Sequence, residues 1–185
     1  MSQMEIFVRQ IKSRSAEHQR AVKALSSAQA HGQIVAILRQ ELDSMVRVIY
    51  LLSLPIDRRL ALVAASVEGE RWRKESSKGA ITDKEMVDLA QKLNGWTQSV
   101  YKFGCAFIHL SALHDYESRD PIGLLPANER SDLITHCRSY HGGPIQDAPT
   151  FRDFVPYLPD VLKKISSNLD WYLDELVAGK PPSLD

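Results

Sequence analysis

The sequence predicts an all-α protein, an antiparallel bundle of six to seven helices. Three observations carry this. Apolar residues recur at alternating spacings of three and four through the long stretches of the chain, the period of a helix with one buried face. No segment alternates apolar and polar residues as a half-buried strand would. Glycine, asparagine-glycine or proline stands where the periodic stretches end. With 185 residues the chain suits one domain with a substantial core. It is expected over residues 1–185, with irregular inserts near 117–127 and 142–158 and a frayed tail over 179–185.

Residues 3–30 read as the first helix, with Met4, Phe7, Ile11, Val22 and Leu25 towards the core. Its middle, Arg9 to Arg20, is polar and net basic, and is expected to project or to meet a partner. His31-Gly32 is expected to end it, glycine being the usual residue just past a helix. In the second helix, Gln33 to Leu54, the buried stripe is Ile34, Leu38, Leu42, Met45, Ile49 and Leu52, broadened by Val46, Val48 and Leu51. Pro55 stops it. Asp57 then caps a third helix, from Arg58 to about Lys74, with Leu60, Val63, Ala64 and Val67 inward and the charged run GERWRKE fraying into solvent. ESSKGAI (75–81) is a loop. Thr82 with Glu85 is a capping box that opens a fourth helix, whose Met86, Leu89 and Leu93 point inward before Asn94-Gly95 ends it.

The stretch Trp96–Tyr116, capped by Thr97, is expected to be the central helix, because it is apolar on most sides. Trp96, Val100, Phe103, Phe107 and Leu110 make one stripe, and Tyr101, Cys105, Ile108 and Ala112 a second. A narrow polar ridge, Gln98, Lys102, His109 and Tyr116, runs beside them and needs partners, since a buried polar group without one is costly. The segment after Tyr116 is too rich in Pro and Gly for regular structure. A short helix from about Ala127 to Tyr140 follows, ended by Gly142-Gly143-Pro144. Thr150 and Asp153 open a turn broken by Pro156 and Pro159. The last helix, Asp160 to Ala178, carries Leu162, Ile165, Leu169, Tyr172, Leu173 and Leu176 at core spacing, and Gly179 closes it.

Composition narrows the function. Lys+Arg and Asp+Glu both number 23, a formal charge of zero, which argues against a broad electrostatic footprint for duplex DNA. Two cysteines, Cys105 and Cys137, read as reduced thiols of a cytoplasmic protein. There is no apolar signal core and no run long enough to span a bilayer. P-loop, GxGxxG, GxSxG, HExxH and paired CxxC motifs are absent, so no cofactor is called for. His109 and His114 are five apart, about 140° around a helix, as are His136 and His141, so neither pair shares a face to hold a metal, and none is expected.

The candidate site lies on the two most apolar helices. Arg39, Asp43 and Arg47 stand four apart, a ladder able to pair between turns. If it faces the Lys102–His109 ridge, arginines and a histidine meet in a cleft. Arginine grips phosphate with two donors, and histidine exchanges the proton of a ribose hydroxyl, which together suffice for metal-independent RNA cleavage. On this reading Arg39, Arg47 and His109 are catalytic, and Lys102, Asp43 and Tyr116 bind. The plainer reading is a buried polar network that sets helix register.

The segments ILRQELDSMVRVIYLL (37–52) and YKFGCAFIHLSALHDY (101–116), the latter with Phe107, His109 and Ser111, resemble the paired helices of HEPN-like bundles. The stretch ERSDLITHC is similar to the arginine-histidine spacing of active HEPN ribonucleases, with Ser131 directly after Arg130 and His136 following, which makes Arg130 and His136 a rival catalytic pair. The resemblance implies a metal-independent ribonuclease of toxin or defence type, or a catalytically inactive relative. The alternative, from another class, is a non-enzymatic interaction or regulatory module. A homodimer formed through residues 3–30 and the last helix is expected, with RNA or another protein as further partner.

Overall fold

The computed structural model describes residues 1–75 and 79–180. Among them the chain is all-helical, and no strand forms. Eight helical segments follow one another: α1 (Gln3–Ser27), α2 (His31–Leu52), α3 (Ile56–Val67), α4 (Asp83–Asn94), α5 (Thr97–Ile108), α6 (Ala127–His141), the single turn α7 (Phe151–Phe154) and α8 (Leu158–Val177). Short 3-10 turns lie at Ala112–His114 and Val155–Tyr157. The expected loop 75–81 and tail 179–185 fall partly outside the described residues.

The centre of the bundle is α2, and not the stretch after Trp96. All six residues of its expected stripe are buried, together with Val46, Val48 and Leu51. It packs against α8, α5, α4, α1 and α3. Each such Leu, Ile or Met side chain contributes about 1.5–3 kcal/mol by leaving water, so this helix anchors the core. The last helix meets it with the expected residues: Leu162, Ile165, Leu169, Tyr172, Leu173 and Leu176 are all buried.

The expected helix over 96–116 stops at Ile108. His109 is extended (φ −102°, ψ 145°), and Leu110, placed in the buried stripe by its spacing, is 96% exposed. The cause is local competition for backbone hydrogen bonds. The Ser111 hydroxyl donates to the carbonyl of Ala106 and accepts from the amide of Leu113, which turns the chain back. The return brings His114 and Tyr116 against Phe107 in an aromatic cluster with Phe103 and Phe151. Thr97 is the first helical residue of α5, not its cap, and its hydroxyl bonds back to α4 at Val87 and Gln91.

Other boundaries shift for identifiable reasons. The first helix ends at Ser27, with Gln29 in the left-handed region (φ 57°), and His31-Gly32 opens α2 instead of closing α1. Gly32 has a packing role: a Cβ there would lie 3.1 Å from the Tyr116 ring and 3.2 Å from that of Phe107. Pro55, not Asp57, occupies the cap position of α3, which ends at Val67. Leu60 is exposed, and Leu62 takes the inward place. The GERWRKE run does not fray entirely, because Trp72 is buried and its indole N–H donates to Ser66 at 2.8 Å. The capping boxes at Thr82/Glu85 and Thr150/Asp153 form, and Gly95 and Gly142 close α4 and α6.

Two buried charges hold helices together. Arg59, in α3, donates from Nε to the carbonyl of Leu51 and from Nη2 to those of Leu52 and Leu54, tying α3 to carbonyls at the end of α2 and in the turn that follows it. Glu41, in α2, is wholly enclosed. It accepts from Ser15 at 2.5 Å and Ser166 at 3.0 Å, and it lies 2.6 Å from His18 Nδ1. The polar middle of α1, expected to project, therefore turns Ser15 and His18 inward onto this carboxylate.

Burial alone would raise the carboxyl of Glu41, but the hydrogen bonds from His18, Ser15 and Ser166 outweigh it and hold the group below its ordinary value of 4.5. A folded-state value lowered in this way stabilises fully above the unfolded value and is lost as pH falls through the lower, folded one. Glu85, held at about 2 by Lys74 and Thr82, acts in the same direction, so the acid limb of the wild type is a sum. Glu41→Gln is expected to cost about 1–3 kcal/mol at pH 7 and to flatten the loss of stability below pH 4.5. Urea denaturation of both proteins from pH 7 to 3 checks this, and parallel curves would overturn it.

Candidate functional site

The ladder of α2 is real, and its partners differ from the expected ones. Arg47 Nε donates to Asp43 at 3.1 Å, the anticipated pair one turn apart. Both arginines then reach Asp83, the first residue of α4: Arg39 Nη2 at 2.9 Å and Arg47 Nη2 at 3.1 Å, one to each carboxylate oxygen. Arg39 is buried. Its Nε points to the Cys105 sulfur at 3.4 Å, and its guanidinium lies 4.4 Å from the Tyr101 ring centroid. Arg47 lies 5.3 Å from the ring centroid of Trp72. From α1, Arg14 adds a bond to Ser44 and a 3.7 Å ion pair with Asp43, whose Oδ1 is buried with no hydrogen-bond partner among the described residues.

This close fit of α5 on α2 depends on Gly104. A Cβ at that position would come within 2.5 Å of Arg39 Cβ, so only hydrogen fits between the helices there. Three guanidinium groups thus face two carboxylates at the meeting of α1, α2, α4 and α5. An open groove of about 550 Å3 lies alongside, edged by Arg14, Arg47, Glu70 and Arg71.

The other expected site residues lie elsewhere. Lys102 pairs with Glu129 of α6 at 3.2 Å. His109 is exposed at the end of α5, where the chain has already left the helix. Tyr116 belongs to the aromatic cluster against Phe107 and Phe151. Arg39, Asp43 and Arg47 are therefore brought together, without Lys102, His109 or Tyr116. Of the rival pair, His136 Nδ1 lies 3.0 Å from the Ser99 hydroxyl. Six residues along the same helix, Arg130 points roughly 120° away from it.

Ser99 and His136 stand on the wall between two cavities. One, of about 40 Å3, is polar and includes Lys102, Glu129 and Asp132. The other, of about 70 Å3, is almost entirely apolar. The hydroxyl and imidazole are within hydrogen-bond reach, as a nucleophile and base must be, but no carboxylate is bonded to His136 among the described residues to orient it. Burial pushes the neighbouring Cys137 thiol up to about 11, so it stays protonated and unreactive at neutral pH. Among the described residues no three His, Cys, Asp or Glu side chains converge as a metal site requires.

Asp83, Tyr101, Cys105 and Ser99 were not singled out for these contacts by sequence. Asp83 follows the capping Thr82, so its position reads as an ordinary acidic first turn. No helix among the described residues is long and apolar enough to cross a membrane. No family model, curated protein or solved structure matches the chain.

Asp83→Ala should leave the buried guanidinium of Arg39 short of its carboxylate and cost about 1–2 kcal/mol, the usual figure for a charged bond reduced because Asp83 is partly exposed. The exposed Lys84–Asp88 pair on the same helix gives the comparison: Lys84→Ala should shift the urea midpoint far less than Asp83→Ala does. Equal effects of the two substitutions in urea denaturation would remove the structural role assigned to Asp83.

Proposed function

We propose that the chain is a HEPN-like antiparallel bundle acting in the cytoplasm as a non-enzymatic interaction module, a catalytically inactive relative of the ribonucleases it resembles. One observation carries the reading: both ladder arginines are committed to the same carboxylate, Asp83, while His109 stands apart on an exposed turn. A phosphate would have to displace that carboxylate from two guanidinium groups. The ladder is better suited to fixing how α2, α4 and α5 align.

The test is cleavage of a generic single-stranded RNA by the wild-type chain, with and without chelator, alongside thermal unfolding of His109→Ala. No cleavage is expected, and the substitution should leave stability within about 0.5 kcal/mol, since the side chain is exposed. Metal-independent cleavage that His109→Ala abolishes would overturn the proposal and restore the ribonuclease. The groove edged by Arg14, Arg47 and Arg71 favours one second reading, RNA binding without cleavage. Its mark is retention of the RNA that weakens steeply with salt and on Arg71→Ala.

The partner that best fits the outer face is a second copy of this chain. Met4, Val8 and Ala16 of α1 and Val177 of α8 line an open, mainly apolar hollow of about 650 Å3, with Glu5, Arg9 and Lys12 beside them. Glu5 and Lys12 are seven apart, so they lie on nearly the same face. A two-fold axis crossing α1 between Val8 and Arg9 sets each Glu5 opposite Lys12 of the partner subunit, a self-complementary arrangement. Light scattering at tens of micromolar should give twice the chain mass, and Val8→Glu should return it to the monomer mass. A monomeric wild type removes this surface.

A further inference from the structure

The almost apolar cavity beside His136 has no part in the ladder or in the outer face. It is enclosed by α2, α5, α6 and α8, with Phe154 and Tyr157 at one end. Val35, Leu38, Phe103 and Ile165 supply much of its wall. At about 70 Å3 it is several times the roughly 10–15 Å3 that one water needs, and about half the size of a cavity known to take benzene. A wall of this composition offers water too few partners to hold it, and suits a small hydrocarbon group.

Its polar edge carries a lysine and a histidine, with the carboxylate of Asp160 in electrostatic range of the histidine. Lys164 lines the cavity, with its ammonium 4.3 Å from the ring centroid of Tyr140 and 5.9 Å from that of Trp96. Asp160 stands one helical turn earlier, the spacing at which a lysine and an aspartate usually pair. No ion pair to Lys164 forms among the described residues. Ring faces attract a cation without neutralising it, so a full positive charge is held beside an apolar hollow. The imidazole of His141 lies at the same edge. Burial, opposed by Asp160 and aided by Lys164, lowers its pKa, so at neutral pH it is an uncharged group able to donate one hydrogen bond.

We propose that this cavity binds a small amphipathic monocarboxylate, with a branched or short aliphatic tail between Phe103 and Ile165 and its carboxylate on Lys164 and His141. The tail must be about the size of an isobutyl group to match the volume, and the head must be anionic to match the lysine. A longer chain would have to leave through the mouth. A neutral molecule of the same shape would leave the ammonium where it already is and gain only the tail's burial.

The test titrates the full chain with 3-methylbutanoate, its uncharged amide and acetate, followed by calorimetry and by the NMR shift of the Trp96 indole. The expected result is saturable binding of 3-methylbutanoate, at least tenfold weaker for the amide and for acetate. Lys164→Met keeps the aliphatic stem and removes the charge, and should weaken the acid at least tenfold while leaving the amide unchanged. Val161→Phe, which fills the cavity from α8, should abolish binding of both, with far-ultraviolet circular dichroism showing that both variants fold. Failure of the wild type to saturate by about 10 mM would overturn the proposal. Equal affinity for acid and amide, or undiminished binding by Lys164→Met, would overturn the assignment of an anion.

Discussion

A single carboxylate, buried without contact with water, constrains the whole bundle. Glu41 sits in the middle of α2, and its partners come from α1 and α8, so three helices must be in register before its charge is matched. An unpaired carboxylate in that position would cost several kcal/mol, far more than any one apolar contact around it contributes. The apolar stripes of α2 and α8 bring the helices together, but stripes tolerate slippage by a turn. The hydrogen bonds at Glu41 do not.

The parts of the fold readable from sequence are those whose causes are local. Capping boxes at Thr82/Glu85 and Thr150/Asp153, and the core spacing of α2 and α8, need no knowledge of neighbours. The errors arise where a distant group decides. Ser15 and His18 look like the polar face of a projecting helix until Glu41 is seen opposite them. Leu110 has core spacing, yet Ser111 ends the helix before it can turn inward. Arg58 and Arg59 are adjacent and alike in sequence, but only Arg59 reaches the carbonyls at the end of α2.

The candidate site divides in the same way. The spacing of Arg39, Asp43 and Arg47 reveals a ladder, and the Arg47–Asp43 bond is the pairing such spacing favours. The identity of the ladder's main counter-charge is not legible, because Asp83 is 44 residues from Arg39 and 36 from Arg47 along the chain. What looks in sequence like a cationic surface in search of a phosphate is, in three dimensions, a cationic surface already answered. Arginine suits both tasks, since its planar fork serves a carboxylate as well as it serves a phosphate.

The bond from Ser166 to Glu41 spans 125 residues. During synthesis α2 leaves the ribosome long before α8 does, and the nascent chain carries both an unmatched carboxylate and the broad apolar face that α8 later covers. Contacts of such long range slow folding, because the loop they close must be ordered before they form. A partly made chain is therefore a sticky one, and its apolar face is covered only when α8 has emerged.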